Sequence, residues 1–225
     1  MPGMDPAVRF AEIVNGPAAD RNLDLLCALM ATVVDHSTDV ASIITGLDRL
    51  AEVCTPTFDG IVDSLFASGL LSGDSDDYHD YRNSLLNEVL IRRKGMPITL
   101  SVVAMEVGKR LGVPMRGIGL PGHFVIRDKA SGIYADPFGG GVRYDEPGMI
   151  AAWQQRMGEG VRLRPGMLAA VTAHDILIRM LNNLRHSLIE RDQSVLLARM
   201  VPLRAAFAEL ADERDEHRVW MRHFN

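Results

Sequence analysis

The chain predicts an α+β fold in which a small antiparallel sheet is flanked by helices on its N-terminal and C-terminal sides. Three observations lead there. Residues 21–71 carry apolar side chains at three- and four-residue steps, residues 115–136 switch to short apolar runs broken by turn residues, and residues 174–210 return to the helical spacing. This pattern divides the chain into a helical lead over 1–73, a mixed core over 74–160, and a C-terminal helical pair with its tail over 161–225.

In the lead, Leu23, Leu26, Cys27, Met30 and Val34 make a helical stripe over 21–35 introduced by Asp20. Ile43, Ile44, Leu47 and Leu50 repeat it over 39–52, and a third helix over 57–71 ends near Gly69. Ser72-Gly73-Asp74-Ser75-Asp76-Asp77 reads as a solvated connector, since it lacks the ligand spacing and closing glutamate of a calcium loop. Asn83 is placed to cap a helix from Ser84 to Lys94 that buries Leu85, Leu86, Val89 and Leu90 and stops at Gly95. Arg92, Arg93 and Lys94 then lie over the negative end of that helix, and dipole complementarity accounts for them more simply than a phosphate or carboxylate clamp.

From Pro97 to Leu111, Ile98, Val102 and Met105 on one face and Leu100, Val103 and Val107 on the next make a helix apolar on most sides, hence central. Proline suits its first turn, where the missing N–H has no intrahelical partner. Gly112-Val113-Pro114 ends it. Short strands follow at Met115–Leu120, Phe124–Arg127 and Ile133–Ala135, with Asp128-Lys129-Ala130-Ser131 as a hairpin loop. Pairing Arg127 with Gly132 sets His123 directly opposite Asp136, with Val125, Arg127 and Tyr134 on their face of the sheet and Phe124, Ile126 and Ala135 on the other. Residues 174–190 and 194–210 read as an antiparallel helical pair, like one unit of a helical repeat without a second copy, followed by a charged tail. Trp153 and Trp220 read as packing residues.

A net charge of -5 argues against an electrostatic grip on nucleic acid or anionic lipid, so neither is expected as a partner. Met1-Pro2-Gly3-Met4-Asp5-Pro6 lacks the pattern of a targeting leader, and no run reaches the ~20 apolar residues that cross a bilayer. A cytoplasmic location is the expectation. Cys27 and Cys54 make neither a disulfide framework nor a metal spacing. His36, His79, His174, His186, His217 and His223 show no mutual ligand spacing, so no metal site and no cofactor are expected.

Five blocks in one order carry a family resemblance. They are Arg82-Asn83-Ser84-Leu85-Leu86-Asn87-Glu88-Val89-Leu90, Arg92-Arg93-Lys94-Gly95-Met96-Pro97-Ile98-Thr99-Leu100-Ser101, Arg110-Leu111-Gly112-Val113-Pro114, Pro121-Gly122-His123-Phe124 and Asp136-Pro137-Phe138-Gly139-Gly140, with a weaker echo in Ile176 to Leu184. This chain resembles the SirB-type branch of the transglutaminase-like superfamily. The resemblance implies a transglutaminase-like (papain-like) core in which a cysteine at a helix start is followed by histidine and aspartate on adjacent strands. Here the cysteine position falls on Pro97, a loss the branch generally shares. Tyr81 stands where the branch usually has proline, and the C-terminal helical region is short; both set this chain apart from the pattern in its rim and partner surfaces.

His123 and Asp136 are therefore the candidate acid/base dyad, the carboxylate orienting the imidazole and raising its basicity. Asn83, Asn87, Glu88, Ile98, Ser101 and Tyr134 are the candidate surrounding pocket, Asn83, Asn87 and Glu88 chiefly as scaffold for the loop before Pro97. Ser101, one turn below Pro97, could replace the nucleophile only by pointing at His123, and a spacer bonded to a carbonyl is the simpler role. Thr99 and Cys54 are no better placed. Gly139-Gly140-Gly141 reads as a loop needing positive φ. Three functions compete. The first is a non-cysteine protein binding a peptide, protein or small amide-type ligand at this cleft in a regulatory or accessory role. The second is an enzyme using His123 as general base for acyl transfer, hydrolysis or cyclisation with a bound amine or water as nucleophile. The third is a structural interaction module, which predicts no cavity at His123.

Overall fold

A computed structural model describes residues 4–17, 19–158 and 166–210. Helix α1 (Pro6–Val14), not anticipated from the sequence, is capped by the Asp5 carboxylate, which accepts from the Ala7 amide at 2.8 Å. It packs Phe10 and Val14 onto α2 (Leu23–Val34). Asp20, expected to introduce α2, instead accepts the amide of Ala173 at 2.7 Å and so ties the lead to the C-terminal pair. Asp39 caps α3 (Val40–Glu52), accepting from Ala41 and Ser42. Thr57 caps α4 (Phe58–Val62), which continues as a wider-wound turn through Ala67 and ends at Gly69 with φ 77°.

The connector differs from the sequence expectation. Ser72–Gly73 (β1) pairs in parallel with Lys94–Gly95 (β2). Within this connector Asp74 is buried rather than solvated, and Asp80, just beyond it, is buried too. Arg92 reaches both at 3.2 Å, and Lys94 lies 3.7 Å from Asp74, so these cations compensate internal carboxylates as well as a helix end. A buried carboxylate needs such partners. Asn83 is no helix cap: it sits in a tight turn over Tyr81–Ser84 that Asp80 caps, and α5 (Leu86–Arg92) begins beyond it without a side-chain cap. Its amide is committed elsewhere, donating to the carbonyls of Asp77 at 2.8 Å and Tyr78 at 3.4 Å and accepting from Arg92 at 3.1 Å. Arg93, at φ 62°, ends α5; Gly95 does not. Glycine at 95 serves close approach instead, because a Cβ there would lie 2.9 Å from Val89.

The central helix α6 (Pro97–Arg110) is buried along most of its length, from Pro97 through Ala104 without interruption. One side packs on the sheet β3 (Met115–Leu120), β4 (His123–Asp128), β5 (Tyr134–Asp136) and β6 (Val142–Tyr144), antiparallel throughout in that order. The hairpin register is two residues from the expected one: Arg127 pairs with Tyr134 and Ile126 with Ala135. The reason is Asp128, whose amide bonds Ile133 while its carboxylate accepts from Ala130, Ser131 N and Ser131 Oγ, extending β4 and moving the loop to 129–132. A slip by an even number of residues leaves every side chain on its own face. Phe124, Ile126 and Ala135 accordingly join the main core, while Val125 and Tyr134 join Ile118, Leu120, Met149 and Trp153 in a second cluster.

That second cluster is closed by α7 (Glu146–Met157), which, like β6, was not anticipated. Helix α8 (Ala173–Glu190) opens with a reciprocal cap between Thr172 and Asp175 and packs against α9 (Ser194–Arg204). Helix α9 ends at Arg204, short of the expected residue 210, and carries Pro202 within it; a tight turn over Ala208–Leu210 follows. Trp220, His217, His223 and the charged tail lie outside the described residues. Among the described residues no helix is long and apolar enough to cross a membrane.

Candidate functional site

His123 begins β4 immediately after Gly122, whose φ of 69° makes the tight β3–β4 turn, and Asp136 ends β5. Continuing the observed register would put Asp136 opposite Val125, diagonal to His123 on the same face. Diagonal neighbours of this kind lie within reach of long side chains. His123 Nε2 meets Asp136 Oδ2 at 2.7 Å. The other carboxylate oxygen accepts the amides of Phe138 at 3.1 Å and Gly139 at 3.0 Å, so the turn after β5 fixes the acid before it touches the histidine. Gly140 and Gly141 adopt φ values of 71° and 78°, and Gly141 donates to the Asp136 carbonyl at 2.8 Å. Gly139 has no positive φ; a Cβ there would meet Asp136 Oδ2 at 2.9 Å.

Both members of the dyad are buried, at 2% and 5% exposure. Burial pushes the Asp136 carboxyl up, but the His123 hydrogen bond and charge, the Gly139 amide and Arg156 outweigh it and hold the group below the usual aspartate range. Asp136 is thus an acceptor at neutral pH. In a neutral His123 the proton then sits on Nε2 and Nδ1 is left as an acceptor. Nδ1 is buried and has no hydrogen-bond partner among the described residues.

A cavity of about 290 Å³ adjoins the dyad, lined by His123, Asp136, Tyr144, Met149, Trp153 and Arg156 among others. Helix α7 supplies its far wall. Trp153 is held by an Nε1–H bond to the Pro121 carbonyl at 3.0 Å, and the half-exposed Arg156 lies 3.6 Å from Asp136 at the rim. On another side, Phe138 stands edge-on to His123 with ring centres 6.4 Å apart, and Tyr78 edge-on to Phe138 at 5.7 Å. Burial raises the Tyr78 phenol, with Arg179 and Arg156 pulling the other way. Arg179, from α8, donates to the His123 carbonyl at 2.8 Å and lies over the Phe124 ring; burial brings its guanidinium below the ordinary value.

The other candidate residues occupy different surroundings. Pro97 takes the first turn of α6, preceded by Met96, whose amide bonds the Asn83 carbonyl at 3.2 Å. Ile98 is buried in the main core. Among the described residues Ser101 Oγ and Thr99 Oγ1 are buried without partners; neither bonds His123, and Ser101 does not bond back to a carbonyl as expected. Asn87 donates to Thr38 at 3.0 Å, and Glu88 is partly exposed on α5. The Tyr134 hydroxyl meets Glu146 at 3.4 Å, with Arg127 over its ring. None of Asn83, Asn87, Glu88, Ile98, Ser101 and Tyr134 lines the cavity, because the expected pocket lay before Pro97 whereas the cavity opens between sheet and α7. Cys27 packs on Met180 and Cys54 Sγ bonds the Leu50 carbonyl at 3.1 Å; burial pushes both thiols up.

Sequence reasoning missed Trp153 and Arg156 as site residues. The signal existed: Asp145 two positions before Pro147, then Met149, Ala152, Trp153 and Arg156 at helical spacing.

Residues 28–182, which span α6, the sheet and the dyad, match a family profile described as "Transglutaminase-like superfamily". The chain belongs to the transglutaminase-like superfamily. A UPF0162 protein of Xylella fastidiosa is 39% identical over 118 residues, covering 50% of this chain and 42% of that protein. A UPF0162 protein of Vibrio cholerae is 33% identical over 140 residues, covering 60% and 51%. F-box only protein 21 of Homo sapiens is 30% identical over 122 residues, covering 50% of this chain and 18% of that one. This transglutaminase-like chain thus spans about half, or less, of the length of these relatives. No solved structure matches it.

Proposed function

We propose that this transglutaminase-like chain is a SirB-type member without the cysteine nucleophile, and that its His123/Asp136 cleft binds a peptide or small amide-type ligand in a regulatory or accessory role. The observation that carries the reading is that His123, whose buried Nδ1 is unmet among the described residues, lines a cavity. A buried acceptor left without a donor costs about 1–3 kcal/mol. An amide N–H from a ligand would recover that cost, while Trp153 and Tyr144 offer apolar surface to the rest of the molecule. Pro97 has no side-chain nucleophile, and Cys27 and Cys54 are buried in other packing environments, which supports a role without a covalent thioester.

The test is a calorimetric titration with small primary amides and amidated dipeptides against the wild-type chain, His123→Phe and Cys54→Ala. Saturable binding that His123→Phe removes and Cys54→Ala leaves intact is expected. A thiol-directed probe that labels this cleft, together with activity lost in Cys54→Ala, would overturn the reading.

A second reading is favoured by the 2.7 Å dyad contact and the depressed Asp136 carboxyl, which suit His123 to act as general base toward a bound amine or water. Turnover of amide or ester substrates that survives His123→Ala unchanged excludes this version. A purely structural module accords poorly with a cavity at the dyad.

A further inference from the structure

His79, His186 and Glu190 form a cluster that spacing along the chain does not reveal. His186 and Glu190 lie one turn apart on α8, and His79 arrives from the connector before Asp80. His79 Nδ1 is 3.4 Å from Glu190 Oε2, and His186 Nε2 is 3.2 Å from Glu190 Oε1. The two imidazole rings face each other edge-on at 5.3 Å, and the three ligand atoms all lie within 4.8 Å of one another. All three residues are exposed, so their side chains can adjust without disturbing the core.

We propose that His79, His186 and Glu190 form a binding site for a divalent transition-metal ion of the zinc class. Two imidazole nitrogens and one carboxylate oxygen are a borderline donor set that favours such ions over calcium or magnesium, which prefer all-oxygen shells. Metal–ligand bonds of about 2.0–2.2 Å at tetrahedral angles place donor atoms roughly 3.3–3.5 Å apart; the two imidazoles now meet different oxygens of Glu190, at 3.4 and 3.2 Å, so a small rotation of these exposed side chains would gather them around one oxygen. Three protein ligands leave a fourth position open to water or a ligand group. The neighbouring cation does not oppose occupancy with a free charge: Arg191 is paired with Asp77 and donates to the His79 carbonyl at 3.1 Å, which also brings the connector to α8.

Occupancy would staple the connector to α8. Tyr78 adjoins His79 in sequence and meets its ring at 5.2 Å, and the contact chain runs on through Phe138 to His123. The metal would therefore stiffen one wall beside the dyad, whichever function the dyad has.

Calorimetric titration of Zn²⁺ into the chelator-treated full chain tests the site, with Co²⁺ substitution reporting the donor set by its visible absorption. One equivalent is expected to bind, with affinity falling more than about tenfold in each of His79→Ala, His186→Ala and Glu190→Gln, and unchanged in His174→Ala, which alters a partly exposed histidine paired with a different glutamate. These exposed positions make misfolding of the variants a minor risk, and a far-ultraviolet spectrum checks it. Absence of binding, equal binding in all variants, or loss on His186→Ala and Glu190→Gln but not on His79→Ala would each overturn the three-ligand site.

Discussion

Replacing Asp136 with asparagine isolates the charge in the dyad from its shape. The two amide contacts to Oδ1, from Phe138 and Gly139, survive the change, since a carboxamide oxygen accepts as well. What is lost is the negative charge that accepts from His123 at 2.7 Å and faces Arg156 at 3.6 Å; with its oxygen held by the two amides, the carboxamide turns its NH2 toward Nε2, which then accepts as the Nδ1–H tautomer. A hydrogen bond to a charged group is worth about 1.5–3 kcal/mol and a neutral one about 0.5–1.5, so the exchange costs roughly 1–2 kcal/mol. For a chain of this size each kcal/mol moves Tm by about 2–4 °C, which predicts a fall of roughly 2–8 °C at pH 7. The folded-state pKa of Asp136 is depressed, so its contribution is present above the ordinary aspartate value and is lost as pH falls through the folded value. The gap between wild type and variant should therefore close below about pH 4. Thermal melts at both pH values check this; an Asp136→Asn chain as stable as wild type at pH 7 would refute the reasoning.

Trp153→Ala removes a ring that is 1% exposed and anchored to Pro121, and should cost about 3–5 kcal/mol in urea unfolding while weakening amide-probe binding. Arg92→Ala strips one cation from two buried carboxylates; because Asp80 keeps Arg82 and Asp74 keeps Lys94, the loss should fall near the lower end of about 3–5 kcal/mol, read by the same assay. Gly141→Ala combines φ 78° with a Cβ 2.7 Å from Val62 and should destabilise by more than about 1–2 kcal/mol, with the Asp136 loop the first region to lose amide-exchange protection. Native-state thiol titration should find Cys27 unreactive until unfolding, since its thiol is wholly buried against Met180.

Much of this architecture was legible because periodicity reports burial. The stripes at Leu23–Val34 and Ile43–Leu50 and the all-round apolar run from Pro97 mark helices that the core indeed encloses. The face of each strand residue was also legible, and it outlasted a wrong register because the slip was even. The register itself was not, since it depends on Asp128 turning its carboxylate onto Ala130 and Ser131. Caps were misread at Asn83 for a related reason: side chains suited to capping are equally suited to bridging loops, and only the fold decides which carbonyls lie in reach. The cavity escaped because its far wall is α7, where Glu146, Gln154, Gln155 and Arg156 dilute the apolar stripe of Met149 and Trp153. The cluster of His79 with His186 and Glu190 is a product of tertiary packing that no local spacing encodes.

Binding at this cleft depends on Asp136 holding the His123 proton on Nε2 and leaving Nδ1 as an acceptor for a ligand donor. A long-range ¹H–¹⁵N spectrum of the histidine rings at neutral pH, recorded with and without an amidated dipeptide, tests it most directly. An Nε2–H tautomer is expected for His123, with a shift confined chiefly to Nδ1 on addition of the peptide. A proton resident on Nδ1, or ring nitrogens indifferent to every amide probe, would contradict it.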